Sequence, residues 1–247
     1  MRSLAGKAVL VTRPADASDE LIRQLMSEGA TPILAPTIQV APARSAALTR
    51  ALHDLAAGRY AWITLTSRST IAMLETRLGS PAEVRARVAA IGAGTAEAFR
   101  TWARRDPELT SRTYTTAALA RTFPRGHGRI LCARADIAPP GLEDALAAKG
   151  WSPERVDAYR TRMVRSLPKR ARDALREGRV DAITFTSAST VRGFVAAVRV
   201  MPRDPKVVCI GPVTARAARE AGMRVAAVAR PHTIEGLVDA LVRVLAR

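Results

Sequence analysis

Short apolar runs of strand length alternate along this chain with amphipathic stretches of helical length. Residues 9–12 read as a strand, 17–28 as a helix stopped by Gly29, and 62–65 as a strand followed by a helix from Ser69. Residues 88–91 form a third strand, before a helix that starts near Thr95. The pattern then returns with strands at 130–133, 182–185 and 207–210 and helices at 142–149, 190–198 and 214–221. Strands alternating with helices predict parallel sheets covered on both faces.

The return is a sequence repeat. VLVTR (residues 9–13) matches ILCAR (130–134) at an offset of 121, and Gly29 matches Gly150 at the same offset. WITLTSRST (62–70) matches AITFTSAST (182–190) at 120, and IGAGTA (91–96) matches IGPVTA (210–215) at 119. Thr116 to Leu119 is echoed more weakly by Thr233 to Leu237. So small a drift implies duplication of one unit and two similar lobes.

Right-handed crossovers place the carboxyl ends of all parallel strands on one edge, where ligands bind in such sheets. Every repeated polar motif falls there. Thr12 and Arg13 follow one strand, Thr66, Ser67, Arg68, Ser69 and Thr70 the next, and Gly92, Ala93, Gly94 and Thr95 the third. Their counterparts are Arg134, then Thr186, Ser187, Ala188, Ser189 and Thr190, then Gly211, Pro212, Val213 and Thr214. Hydroxyls and free N–H groups at helix starts can grip anionic oxygens. Taken singly, the same residues read as helix caps and tight turns.

Length and composition narrow the field. The 247 residues suit one large or two small globular domains, with 48% hydrophobic residues for a core. Net charge is +17, yet only Lys7, Lys149, Lys169 and Lys206 among the 39 basic residues are lysines, which suggests compositional bias toward arginine as much as a selected surface. The arginines are scattered among acidic neighbours, and aromatics make up only 4% without paired stacking runs, so nucleic acid is not the expected partner. The start MRSLAGKAVLVTRP lacks the apolar stretch and cleavage site of a secretory signal, no run approaches a membrane span, and a cytoplasmic location is expected. Cys132 and Cys209 sit inside apolar runs as buried free thiols would.

Much familiar chemistry is missing. His53, His127 and His232 have no metal-ligand spacing, so no metal is expected. IGAGTA follows the third strand rather than the first, and no GxxxxGK[ST] occurs, so neither NAD nor ATP is supported. There is no GxSxG elbow. Any catalysis here must work by binding, orientation and electrostatics.

VLVTRP, the LTS and FTS loops, IGAGTA, the segment 159–161, CIGPVTA (209–215) and the closing HTIEGLVDAL (232–241) together resemble the uroporphyrinogen-III synthase family over nearly the whole chain. The resemblance implies an α/β fold of two similar lobes, each a parallel sheet flanked by helices, joined by a two-stranded linker. The first lobe would take residues 1–37 and 164–247, the second 42–159, with crossings at 38–41 and 160–163. It implies a monomer without cofactor that cyclises hydroxymethylbilane, a linear tetrapyrrole with carboxylate arms, to uroporphyrinogen III with loss of water and inversion of ring D through a spirocyclic pyrrolenine. By the same resemblance Tyr159 is the catalytic cleft tyrosine. Thr186, Ser187, Ser189 and Thr214 would face substrate in the first lobe, and Thr66, Ser67 and Thr95 in the second, while Arg13 and Arg134 meet carboxylates. Ala188 stands where the family often has proline, and Arg68 is a bulky charge in the matching loop. The alternative is a catalytically inactive two-lobed homologue that binds or regulates.

Overall fold

A computed structural model describes residues 3–198 and 204–245. Met1 and Arg2 of the first-lobe segment lie outside the described residues, as do 199–203 and 246–247. The chain divides into two compact units, Met1–Gln39 with Arg162–Arg247 and Val40–Thr161.

Unit 1 holds strands β1 (Ala8–Val11) and β2 (Thr31–Leu34) and helix α1 (Asp19–Ser27) from the start of the chain. Its other elements come from the end: α7 (Lys169–Arg176), β9 (Ala182–Phe185), α8 (Ala188–Ala197), β10 (Lys206–Cys209), α9 (Pro212–Glu220), β11 (Val225–Val228) and α10 (Ile234–Leu245). The sheet order is β11-β10-β9-β1-β2, parallel throughout. Successive side chains of a strand point to opposite faces, so Val9 and Val11 pack on Leu21, Leu25 and Leu237 of α1 and α10. Leu10 packs the other way, with Ala174, Val191 and Ala215 of α7, α8 and α9. Both faces are therefore covered, which is why the central strands read as mainly apolar runs.

Unit 2 contains β3 (Ile38–Pro42), α2 (Ala46–Ala56), β4 (Trp62–Leu65), α3 (Arg68–Leu78), β5 (Arg87–Ala90), α4 (Ala93–Ala103) and β6 (Leu109–Thr110). It continues through α5 (Thr116–Thr122), β7 (Arg129–Ala135), α6 (Leu142–Ala147) and β8 (Ser152–Met163). The division between units falls inside β3 and inside β8. The order is β3-β8-β7-β4-β5-β6, with the five strands from β8 to β6 parallel. Leu131 and Ala133 face the α2–α3–α4 side, whereas Ile130 and Cys132 face α5 and α6.

The two orders superpose as β11-β10-β9-β1-β2 on β6-β5-β4-β7-β8. The repeated halves are thus exchanged, each unit taking its strand pair β1–β2 or β7–β8 from one half and its other three strands from the other. The order reverses between β1 and β9 in unit 1, and between β7 and β4 in unit 2. Beyond the carboxyl ends of those pairs lie the ligand crevices of doubly wound sheets.

Helix starts need correction. A turn of 3₁₀ helix at Ala15–Ala17 precedes α1, so the helix expected from residue 17 begins at Asp19. Helices expected from Ser69, Thr95, Thr190 and Thr214 begin one or two residues earlier, because Ser67, Gly92, Ser187 and Gly211 are the caps. Thr190 is the third helical residue and bonds back to the Ser187 N–H, closing a capping box. Cys132 and Cys209 are free and buried, and burial pushes both thiols up to about 12.

Candidate active site

Unit 2 builds its crevice from the ends of β4 and β7. Ser67 leaves β4 in an extended conformation and caps α3, its Oγ accepting from the Thr70 N–H at 3.2 Å. Thr70 Oγ1 in turn donates to the Ala133 carbonyl at 3.3 Å, tying α3 to β7. The same Ser67 Oγ lies 2.7 Å from the Tyr159 hydroxyl. Tyr159 is 8% exposed. Burial raises its pKa above the ordinary phenol value, against hydrogen bonds with Ser67 and Ser69 that favour the phenolate. The phenol therefore keeps its proton at neutral pH, beside a hydroxyl able to relay or orient it.

A β-bulge aims this tyrosine. Along β8, Val156 is buried, Asp157 exposed and Ala158 buried, so simple alternation turns residue 159 outward. Instead Arg134 pairs with Asp157 and Ala135 with Tyr159, leaving Ala158 as the extra residue. Tyr159 consequently joins Val156 and Ala158 on the face packed by α2, α3 and α4.

Arg134 stands on the other face. It is 1% exposed, its Nη1 lies 2.9 and 3.0 Å from the two carboxylate oxygens of Glu143 in α6, and its Nε has no hydrogen-bond partner. The strand-end arginine is thus held under α6 by an internal carboxylate. Thr66 is half-buried at the mouth, and Thr95, 8% exposed, is the third residue of α4. Arg68 reaches from the β4 loop to the Gly94 carbonyl, at 3.1 Å.

Unit 1 repeats the frame with different contents. Thr12 Oγ1 donates to the Thr184 carbonyl at 2.7 Å, locking β1 to β9 just before half-buried Arg13. Ser187 caps α8, and its Oγ lies 2.9 Å from Ser189 Oγ. Thr186 is half-buried, and Thr214 is the third residue of α9 at 4% exposure. Of the ten residues singled out from the sequence, Arg13, Thr186, Ser187, Ser189 and Thr214 thus belong to unit 1. Thr66, Ser67, Thr95, Arg134 and Tyr159 belong to unit 2. Hydrogen bonds join Ser67 to Tyr159 and Ser187 to Ser189.

Two rings, Tyr114 and His232, were not assigned to the site from the sequence. A Cβ added to Gly92 would overlap the Tyr114 ring, and one added to Gly211 would touch His232, nearest atom 3.7 Å. Each ring precedes a capping threonine: Thr115 accepts from the Ala118 N–H at 3.1 Å and Thr233 from the Gly236 N–H at 3.2 Å. His232 Nδ1 lies 2.7 Å from the Ala229 carbonyl, which only accepts, so the proton sits on Nδ1. The weak echo between residues 116–119 and 233–237 was the available signal for this pair. Among the described residues no group of three or more His, Cys, Asp or Glu is placed to hold a metal, and no helix is long and apolar enough to cross a membrane.

Comparison with known proteins places this frame. The family model described as uroporphyrinogen-III synthase HemD matches residues 7–239. A porphyrin biosynthesis protein HemD from Ruminiclostridium josui is 30% identical over 98% of the chain, which spans only 49% of that relative's length. A uroporphyrinogen-III synthase from Synechococcus elongatus is 27% identical over 96% of this chain and 95% of its own. Among solved structures, a mutant uroporphyrinogen III synthase from Thermus thermophilus has a TM-score of 0.65 at 24% identity, covering 97% of this chain and 98% of that one. The Helicobacter pylori protein scores 0.60 at 14% identity, covering 96% and 99%. These two likenesses show a shared fold.

Proposed function

The chain belongs to the uroporphyrinogen-III synthase family, and on that premise we propose that it cyclises hydroxymethylbilane to uroporphyrinogen III. The observation that carries the reading is the Tyr159 hydroxyl, buried and 2.7 Å from Ser67 Oγ at the carboxyl edge of unit 2. Tyr159 donates a hydrogen bond to the departing hydroxyl of the substrate, and Ser67 orients the donor. Loss of water leaves an electrophilic azafulvene. The substituted carbon of ring D attacks it, and the spirocyclic pyrrolenine fragments and recloses with that ring inverted.

The intermediates are cationic pyrroles, so the protein has to assist departure of the hydroxyl and hold the chain against direct closure to the type I isomer. Thr66 and Thr95 in unit 2, with Thr186, Ser187, Ser189 and Thr214 in unit 1, supply hydroxyls and helix-start N–H groups for the carboxylate arms. Arg13 meets a carboxylate. For Arg134 to meet another, α6 has to move aside, because the arginine's Nε is buried and its Nη1 is paired with Glu143. In this reading β3 and β8 form the two-stranded connection, and the protein works as a cytoplasmic monomer without a cofactor.

The test is the uroporphyrin isomer ratio, read by chromatography after oxidation, when purified protein meets freshly generated hydroxymethylbilane. A type III product well above the no-enzyme control is expected. Type I alone, at the spontaneous rate with folded protein, would leave a two-lobed binding protein instead.

A further inference from the structure

Just beyond the bulge that turns Tyr159 inward, one residue, Asp136, bonds the strand on both sides of Arg160. β7 ends at Ala135, so beyond it the side of β8 turned away from β3 has no strand to take its N–H groups. Asp136 fills the gap from both directions. Its main-chain N–H donates to the Tyr159 carbonyl at 3.1 Å, and its Oδ1 accepts from the Thr161 N–H at 2.9 Å. The same Oδ1 accepts from the Ile137 N–H at 2.9 Å, which fixes the rotamer of the carboxylate. Arg155 Nη2 then donates to the Ala138 carbonyl at 3.1 Å, bracing the loop that carries Asp136. Residues 159 and 161 are therefore clamped to a single residue, on either side of Arg160.

Unit 1 offers a control built into the chain. At the repeat offset of 121, Asp136 corresponds to Ala15 and Tyr159 to Ile38. Alanine has no side-chain acceptor, and isoleucine has no hydroxyl to aim. At that offset the acceptor and the phenol occur together in unit 2, and neither has a counterpart in unit 1.

We propose that Asp136 is the positioning residue of Tyr159, clamping the strand so that the phenol meets both Ser67 and the leaving hydroxyl. The proposal rests on the donor role given to Tyr159 above. The clamp needs an acceptor oxygen at Oδ1, not a negative charge, because both its side-chain partners are neutral amides. Asp136→Asn keeps that oxygen, whereas Asp136→Ala removes it.

The experiment is a double-mutant cycle with steady-state kinetics. Asp136→Ala should lower kcat about tenfold or more and leave KM within about twofold, since an ångström of misplacement costs up to about a hundredfold. Asp136→Asn should recover most of that loss. In a Tyr159→Phe background, Asp136→Ala should cost nothing further, because the group it positions is gone. If Asp136→Ala does not fold, a folded Asp136→Asn protein with kcat down tenfold overturns the proposal. So does an Asp136→Ala loss that multiplies with Tyr159→Phe, or an Asp136→Ala enzyme as fast as the parent. Undiminished turnover in Tyr159→Phe alone sinks the donor role, and the clamp with it. A slow Tyr159→Phe beside an unaffected Asp136→Ala removes only the clamp.

Discussion

The Ser67–Thr70 and Ser187–Thr190 turns are copies of one motif with different employment. Both serines leave a central strand extended, and both cap the following helix through the N–H three residues on. Ser187 then turns to its neighbour Ser189, whereas Ser67 turns to a tyrosine distant in sequence. The difference begins where β2 and β8 end. In unit 1, β2 stops at Leu34 and the chain presses its Thr37 carbonyl onto Gly193 of α8, while Thr37 Oγ1 donates to the Thr190 carbonyl at 2.9 Å. In unit 2 the position matching Gly193 is buried Met73, and β8 continues past the helix carrying Tyr159. Duplicated capping chemistry sets the frame, and the path of one strand decides whether a phenol joins it.

That contrast can be broken in order of severity. Gly193→Ala puts a methyl into the Thr37 carbonyl and 3.1 Å from Ile38 Cγ2, a backbone contact that cannot step aside. Unfolding in urea should show unit 1 destabilised by about 3 kcal/mol or more, beyond the usual cost of overpacking. Met73→Ala leaves a cavity in unit 2 instead and should cost about 2–3 kcal/mol. A harmless Gly193→Ala would mean that the strand exit in unit 1 is not locked.

Serine substitutions sharpen the comparison. Ser67→Ala and Ser187→Ala should each lose about 1 kcal/mol of stability as caps. Ser67→Ala should in addition lower kcat about tenfold, equivalent to about 1.4 kcal/mol of transition-state stabilisation, while Ser187→Ala acts mainly on KM. Equal effects on kcat would erase the functional distinction between the loops.

Acid provides the gentlest probe. In unit 2 Arg129 Nη1 meets Asp54 Oδ2 at 2.9 Å and its Nη2 meets Glu154 Oε2 at 2.6 Å. The hydrogen bond from Arg129, then that from Arg59, holds Asp54 below the usual carboxylate range. For Glu154 burial works upward, yet hydrogen bonds from Tyr60 and Arg129 outweigh it and the pKa is lowered. A depressed carboxylate stabilises the fold above its unfolded pKa of about 4 and loses that contribution as pH falls through the folded value. Unit 1 has Asp173 lowered, chiefly by Lys169, on the surface of α7. Hydrogen exchange below about pH 4 should therefore open the start of β7 and β8 before the sheet of unit 1, and Arg129→Met should abolish the difference.

The central strands were legible because both faces of each sheet are covered, which keeps runs such as 182–185 free of charge and leaves only a threonine whose hydroxyl is satisfied by a neighbouring strand. β2, β6 and β11 were not, since they are short, partly exposed edge or near-edge strands with weak patterns such as TPIL and VAAV. The LTS and FTS loops were found through their repetition. Tyr159 was found through the family resemblance alone: the bulge that buries it depends on register, which no period-2 pattern contains. Arg134 read as a residue at the sheet edge, but its contact with Glu143 nine residues on requires the particular return of α6. Asp136 was invisible for the same reason.

The exchange of strands also bears on how the molecule is made. β1, an interior strand of unit 1, is synthesised before the other strands described, yet its neighbour β9 follows about 170 residues later, whereas unit 2 is one continuous stretch. At the pace of translation the early segment with β1 waits, half its hydrogen bonds unmade, while the middle of the chain emerges and can fold. A nascent chain arrested after residue 161 should carry a protease-resistant middle and a vulnerable beginning.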